Sequence, residues 1–137
     1  MDKDMVKEIK ITELKSLDKY GFYSHLVFPE SQGGMANYHT HGLEKSKNHQ
    51  DFQIVLPIDP KTAHNIFFVF VNRINKGESF KKDTTVSDII KNFDIKLIEK
   101  VEGERKVLRV LLPDQNGNFP NDDECENFYR KQLEDLN

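Results

Sequence analysis

The sequence has no tryptophan, a single cysteine and no long hydrophobic run. One cysteine, Cys125, excludes an internal disulfide and favours a reducing compartment. The longest uncharged apolar stretch, Ile66 to Val71, falls far short of the ~20 residues that a membrane-spanning helix needs. Charge of one sign is not in excess either: 20 Lys+Arg stand against 23 Asp+Glu in 137 residues, a net of −3. A chain so balanced has no general attraction for nucleic acid or for an anionic membrane surface. The opening Met1-Asp2-Lys3-Asp4-Met5 is charged and lacks the apolar core of a secretion signal, so the expectation is a cytoplasmic protein. No repeat, low-complexity tract or Pro/Ser-rich linker appears, and one domain over residues 1–137 is expected.

What is present is enough to fold. Apolar residues make up 36% of the chain and include 10 Phe and 4 Tyr, a content that separates it from disordered sequences. Period-two alternation and β-branched or aromatic residues predict strands at 7–14, 20–28, 37–43, 51–58, 95–101 and 106–112. Glu102-Gly103-Glu104 is the turn of a hairpin spanning 95–112. Asp59-Pro60 offers a capping side chain followed by proline at the first helical position, and Gly77 a stop. Between them Ala63, Phe67, Phe70 and Ile74 share one face, which predicts a helix over 60–76. A short helix is expected from Thr84 or Thr85 to Phe93, and a last one over 122–136, with acidic residues in its first turn. Residues 29–35 and 44–50 are expected to be loops. The sum is an α+β fold, an antiparallel or mixed sheet of about six strands with about three helices packed on it. Residues 113–137 carry 2 basic and 7 acidic side chains, net −5, which reads as a solvated acidic helix or as a surface for a basic partner.

Several motifs occur in a fixed order: Thr40-x-Gly42-Leu43, His49-Gln50-Asp51-Phe52, Leu56-Pro57, Ala63, Gly77-x-x-Phe80, then Leu112-Pro113-Asp114-x-x-Gly117-x-Phe119-Pro120, Tyr129 and Gln132. This string resembles a bacterial family of small proteins that carry a domain of unknown function, over roughly residues 20–132. Members show Tyr-Thr-x-Gly-Leu, a Gly-His-Pro-Glu-Leu-like segment and Pro-Asp-x-x-Gly-x-Phe-Pro. The sequence departs from that pattern at three places. His39 stands at the usual tyrosine, Asn48 at the glycine before His49, and Gln50 at the proline after it. The resemblance implies a single domain and supplies no activity.

The strongest local chemistry is His39-Thr40-His41. On a strand, residues i and i+2 point to the same face, so two imidazoles can approach one ion. His49, Asp51, Glu44 or His25 would complete the site. Gly33-x5-His39-x-His41 also resembles the opening of the cupin metal motif, but Glu44 comes one residue early, no second glycine follows and the helix at 60–76 interrupts a barrel. His49 is a candidate general base or a histidine tying a loop. Glu44 and Asp114 are candidate bases for a metal-bound water, Asp114 equally a turn cap in an Asn116-Gly117 turn. His64 borders the apolar stripe of the long helix and is expected at the core edge. Cys125 sits among Asp122, Asp123, Glu124 and Glu126, whose charge opposes a thiolate. Ser24-His25 lacks the glycines of a nucleophile elbow. The lysines at 45, 47, 81 and 82 are too few to mark a nucleic-acid surface.

Two functions are compatible with these residues. The first is a binding or interaction module without catalysis or cofactor, taking a protein or small-molecule partner, as a monomer or a homodimer. The second is a metal-dependent hydrolase-like enzyme with a divalent ion on His39 and His41. The enzyme requires three candidate side chains to converge in a cleft. The binding module predicts dispersed histidines and an exposed apolar patch.

Overall fold

The structure is a computed structural model that describes residues 21–27 and 35–135. The strand expected over 7–14 and nearly all of the loop expected over 29–35 lie outside the described residues. In chain order the elements are β1 (Tyr23–Val27), β2 (Asn37–His41), α1 (Leu43–Lys47), β3 (Phe52–Ile54), α2 (Pro60–Asn75), β4 (Thr84–Val86), β5 (Ile95–Glu102), β6 (Arg105–Leu111) and α3 (Asn127–Arg130), which runs into a 3₁₀ turn at Lys131–Leu133. The strands form one sheet in the order β1-β2-β3-β6-β5-β4. All neighbours are antiparallel except β3 and β6, which pair in parallel through Phe52↔Leu108 and Gln53↔Arg109. The sheet is therefore mixed and the fold α+β, as expected.

The alternation of each strand splits its residues between two unlike faces. Tyr38, Thr40, Phe52, Ile54, Leu108, Val110, Ile95 and Leu97 are all buried, and most of them join Ala63, Ile66, Phe67, Phe70 and Val71 of α2 in the hydrophobic core. Phe52 stacks on Phe70 at 4.4 Å, and Phe80 meets Phe70 edge-on at 4.9 Å. Helix α2 starts where Asp59 Oδ1 accepts the Lys61 N–H, with Pro60 behind it. It ends at Gly77, whose φ of +102° a side chain would resist. The predicted helix over 60–76 and the hairpin over 95–112 are both present.

Four expected elements differ. Residues 43–47 form helix α1, not a loop. Gly42 at φ +102° turns the chain, and the Asp51 carboxylate takes up the free Leu43 N–H at 3.2 Å. Thr84–Val86 is a strand, paired with β5 through Thr84↔Leu97. Positive φ at Asp88 and Asn92 prevents the helix that the spacing of Val86, Ile89, Ile90 and Phe93 suggested. The helix expected over 122–136 shrinks to Asn127–Arg130. Asp122 accepts the Phe119 N–H and Asp114 accepts the Glu126 N–H, so these residues build turns ahead of it. The strand expected over 51–58 has ladder pairing only at Phe52–Ile54.

A candidate metal centre on the polar face of the sheet

Around β1 and β2 the face opposite α2 is polar. Strand β1 pairs with β2 so that His25 faces His39 and Tyr23 faces His41. Cross-strand partners and i,i+2 neighbours share a face, so these four rings form one patch. The His39 and His41 centroids are 4.7 Å apart, His25 and His39 4.9 Å, and His25 and His41 6.0 Å. Tyr23 stacks on His41 at 5.0 Å. One ring nitrogen from each of His25, His39 and His41 can be chosen so that all three lie within 4.8 Å of one another. A tetrahedral ion with bonds of ~2.0–2.1 Å needs its donors about 3.4 Å apart, so the three rings would have to close in around it. His39 is buried, whereas His25 and His41 are partly exposed, so the cluster opens to solvent on one side.

Burial and the neighbouring charges hold His39 and His41 neutral, the state that binds metal. Burial pushes His39 down to about 3. His25 and the Arg105 cation add to that, against the opposing hydrogen bond with Asn37. Burial also pushes His41 down to about 4, with Arg105 and His39 adding to it and Glu102 opposing.

Around His39 the polar groups are ordered. Its Nδ1 lies 3.0 Å from Asn37 Oδ1 and 3.5 Å from Glu102 Oε2, which leaves Nε2 for an ion. Arg105 donates to Glu102 Oε1 through Nε and Nη2, to Asp51 Oδ2 and to the Thr40 carbonyl. The charges beside the cluster are thus paired. A partner for the outer nitrogen of a ligating imidazole is a regular feature of histidine metal sites.

The remaining candidate residues have other positions. Asp51 is 2% exposed and its carboxylate joins four groups: the Thr40 hydroxyl, the Leu43 N–H, Arg105 and, through that arginine, Glu102. Burial raises its pKa, and the Thr40 hydrogen bond, Arg105 and the Leu43 N–H oppose that. His49 ties loops together. Its Nε2 accepts the Phe80 N–H at 2.9 Å and its Nδ1 faces the Gln50 carbonyl at 2.8 Å. Glu44 is exposed on α1. Asp114 caps its turn, Oδ1 accepting from the Asn116 and Asn118 N–H groups. Ser24 turns away from His25 to the core face, where its Oγ is 2.8 Å from His64 Nδ1. At 7% exposure it is closed to a substrate. Cys125 is buried, and its thiol pKa is raised by burial and then by Asp114.

Sequence reasoning named His39 and His41 as a pair and His25 among several third partners. It missed Tyr23, Asn37, Gln53, Glu102, Arg105 and Arg109. Asn37 and Tyr23 follow from the alternation once β1 and β2 are paired. A signal for Arg109 was present: it is the one charge inside the apolar run Val107 to Leu112. Among the described residues, no helix is long and apolar enough to cross a membrane.

A family model described as a domain of unknown function (DUF4262) matches residues 16–126. No curated protein and no solved structure matches the chain.

Proposed function

Because the chain belongs to the DUF4262 family, whose description carries no activity, we propose a function from the geometry: it binds a divalent transition metal of the zinc class through His25, His39 and His41. The observation that carries this reading is the convergence of three imidazole nitrogens within 4.8 Å on two adjacent strands. A non-catalytic module predicts dispersed histidines, so their convergence favours the metal reading. Neutral nitrogen donors suit zinc, copper, nickel or iron better than calcium or magnesium, which prefer oxygen.

Among the described residues the convergent donors are these three, which leaves a tetrahedral ion one position for water. Held by His25, His39 and His41, such a dication would supply Lewis-acid activation of water near neutral pH. The chemistry that follows is hydrolysis or hydration of a small polar substrate entering from the exposed side of His25 and His41. Glu44 and Asp114 have no part in it, since the first is on α1 and the second holds a turn. Glu102 is the carboxylate beside the cluster.

The test is titration of chelator-treated, untagged protein with zinc chloride by calorimetry, beside His39→Ala and His41→Ala. The expected result is one ion per chain in the wild type and loss of binding in both variants. At zinc 100-fold above Kd, binding to the native state adds about 2.7 kcal/mol to its stability. Absence of binding, or equal binding by the variants, overturns the proposal.

A further inference from the structure

The polar face carries an unbroken run of hydrogen bonds from the C-terminal segment to His39. Arg109, 1% exposed, donates through Nη1 to the carbonyls of Gln132 at 2.9 Å and Glu134 at 2.6 Å. Its Nε donates to Gln53 Oε1 at 2.8 Å. Gln53, also 1% exposed, donates through Nε2 to Asn37 Oδ1 and to Glu102 Oε2, both at 3.1 Å. Asn37 Oδ1 in turn lies 3.0 Å from His39 Nδ1.

The direction of every bond in this run follows from its first member. A guanidinium has only donors. The Gln53 atom facing Arg109 must therefore be its carbonyl oxygen, and the atom facing Asn37 its NH2 group. The Asn37 atom that receives that NH2 must be its oxygen. The same oxygen faces His39, so Nδ1 must carry the proton, and the Nε2 lone pair is free. Glu102 Oε2 lies farther from Nδ1, at 3.5 Å, and is compatible with the same tautomer. The amide orientations of Asn37 and Gln53 are thus fixed by chemistry rather than by shape alone.

We infer that Arg109 is a positioning residue. Through Gln53 and Asn37 it fixes the tautomer of His39 and commits that ring to bind metal through Nε2. This inference rests on the metal reading for its purpose, though not for its geometry. It also gives the C-terminal segment a role: the carbonyls of Gln132 and Glu134 hold the arginine that orients the run.

The experiment is long-range proton–nitrogen NMR on metal-free protein carrying ¹⁵N-histidine at pH 7.5, together with zinc affinity. The wild type is expected to show the His39 proton on Nδ1. Gln53→Glu keeps an acceptor for Arg109, and a proton that its carboxyl shares with Glu102 Oε2 lies between those two groups, so none is donated to Asn37. The Asn37 amide then turns to donate, the Nε2–H form of His39 appears, and zinc binds about tenfold more weakly or worse. Asn37→Asp keeps the acceptor and is expected to retain the Nδ1–H form and zinc affinity. A wild-type His39 protonated on Nε2 overturns the inference, and this measurement decides the matter even where Gln53→Glu fails to fold. A folded Gln53→Glu with unchanged tautomer and affinity also overturns it. An Nδ1 proton in a wild type that binds no zinc overturns the metal reading alone.

Discussion

Gln132 is expected to be among the least replaceable polar residues of the molecule. It is fully buried in the 3₁₀ turn after α3, and its amide grips the main chain just past the end of β6. Oε1 accepts the Leu112 N–H at 2.8 Å, and Nε2 donates to the Leu112 carbonyl at 2.8 Å and the Tyr129 carbonyl at 2.9 Å. The Tyr129 carbonyl keeps a second donor, the Lys131 N–H. In Gln132→Leu the Leu112 N–H and C=O both lose this partner inside the protein. Each buried group left unpaired costs roughly 1–3 kcal/mol. With partial relaxation and the added apolar burial of leucine, the net loss is about 2–4 kcal/mol, a large share of the ~5–15 kcal/mol typical of a domain. Urea unfolding followed by circular dichroism measures it. At a slope of ~1–3 kcal/mol/M the midpoint falls by about 1–2 M with the slope unchanged. A loss below about 1 kcal/mol at constant slope would refute the reasoning, because it would mean that water reaches Leu112 in place of the amide.

Two further outcomes follow from the C-terminal region. Burial raises the Asp114 pKa, but the N–H groups of Asn118, Glu126 and Asn116 outweigh it and hold the carboxyl below its usual range. A depressed folded-state pKa contributes stability above the unfolded value and loses it as pH falls. Asp114→Asn is therefore expected to unfold at lower temperature than the wild type at pH 7, with the gap closing as the pH drops below 4; a gap independent of pH would count against the carboxylate's role. Cys125, with its thiol pKa raised by burial and by Asp114, is expected to react with iodoacetamide at pH 8 at least about tenfold more slowly in native than in urea-unfolded protein. Equal rates would show that the thiol is open.

The sequence carried the local decisions. Asp59-Pro60 and Gly77 bounded α2 because a cap, a fixed φ and a left-handed stop act within a few residues of the chain. The same holds for the hairpin turn at Gly103 and for the histidine pair at 39 and 41, whose shared face follows from the pleat. Where the sequence misled, a distant group intervened. The segment 84–86 is a strand because β5 offers an edge to pair with, although the spacing of its apolar residues suits a helix. Helix α1 begins where the Asp51 carboxylate meets Leu43, eight residues away in sequence. The final helix stays short because Asp114 holds Glu126 and Arg109 holds the carbonyls of Gln132 and Glu134.

The candidate site divides along the same line. Its chemistry was written in residue types, since histidines two apart on a strand can share an ion. Its completion was not. His25 joins the other two histidines only because β1 and β2 pair in a register that sets it opposite His39. Glu102 lies beside that ring, and Gln53 and Arg109 connect to it through Asn37, the three coming from three other strands of the sheet. Periodicity fixes which face a side chain occupies, but register is a property of two chains of hydrogen bonds meeting, and a single strand does not contain it.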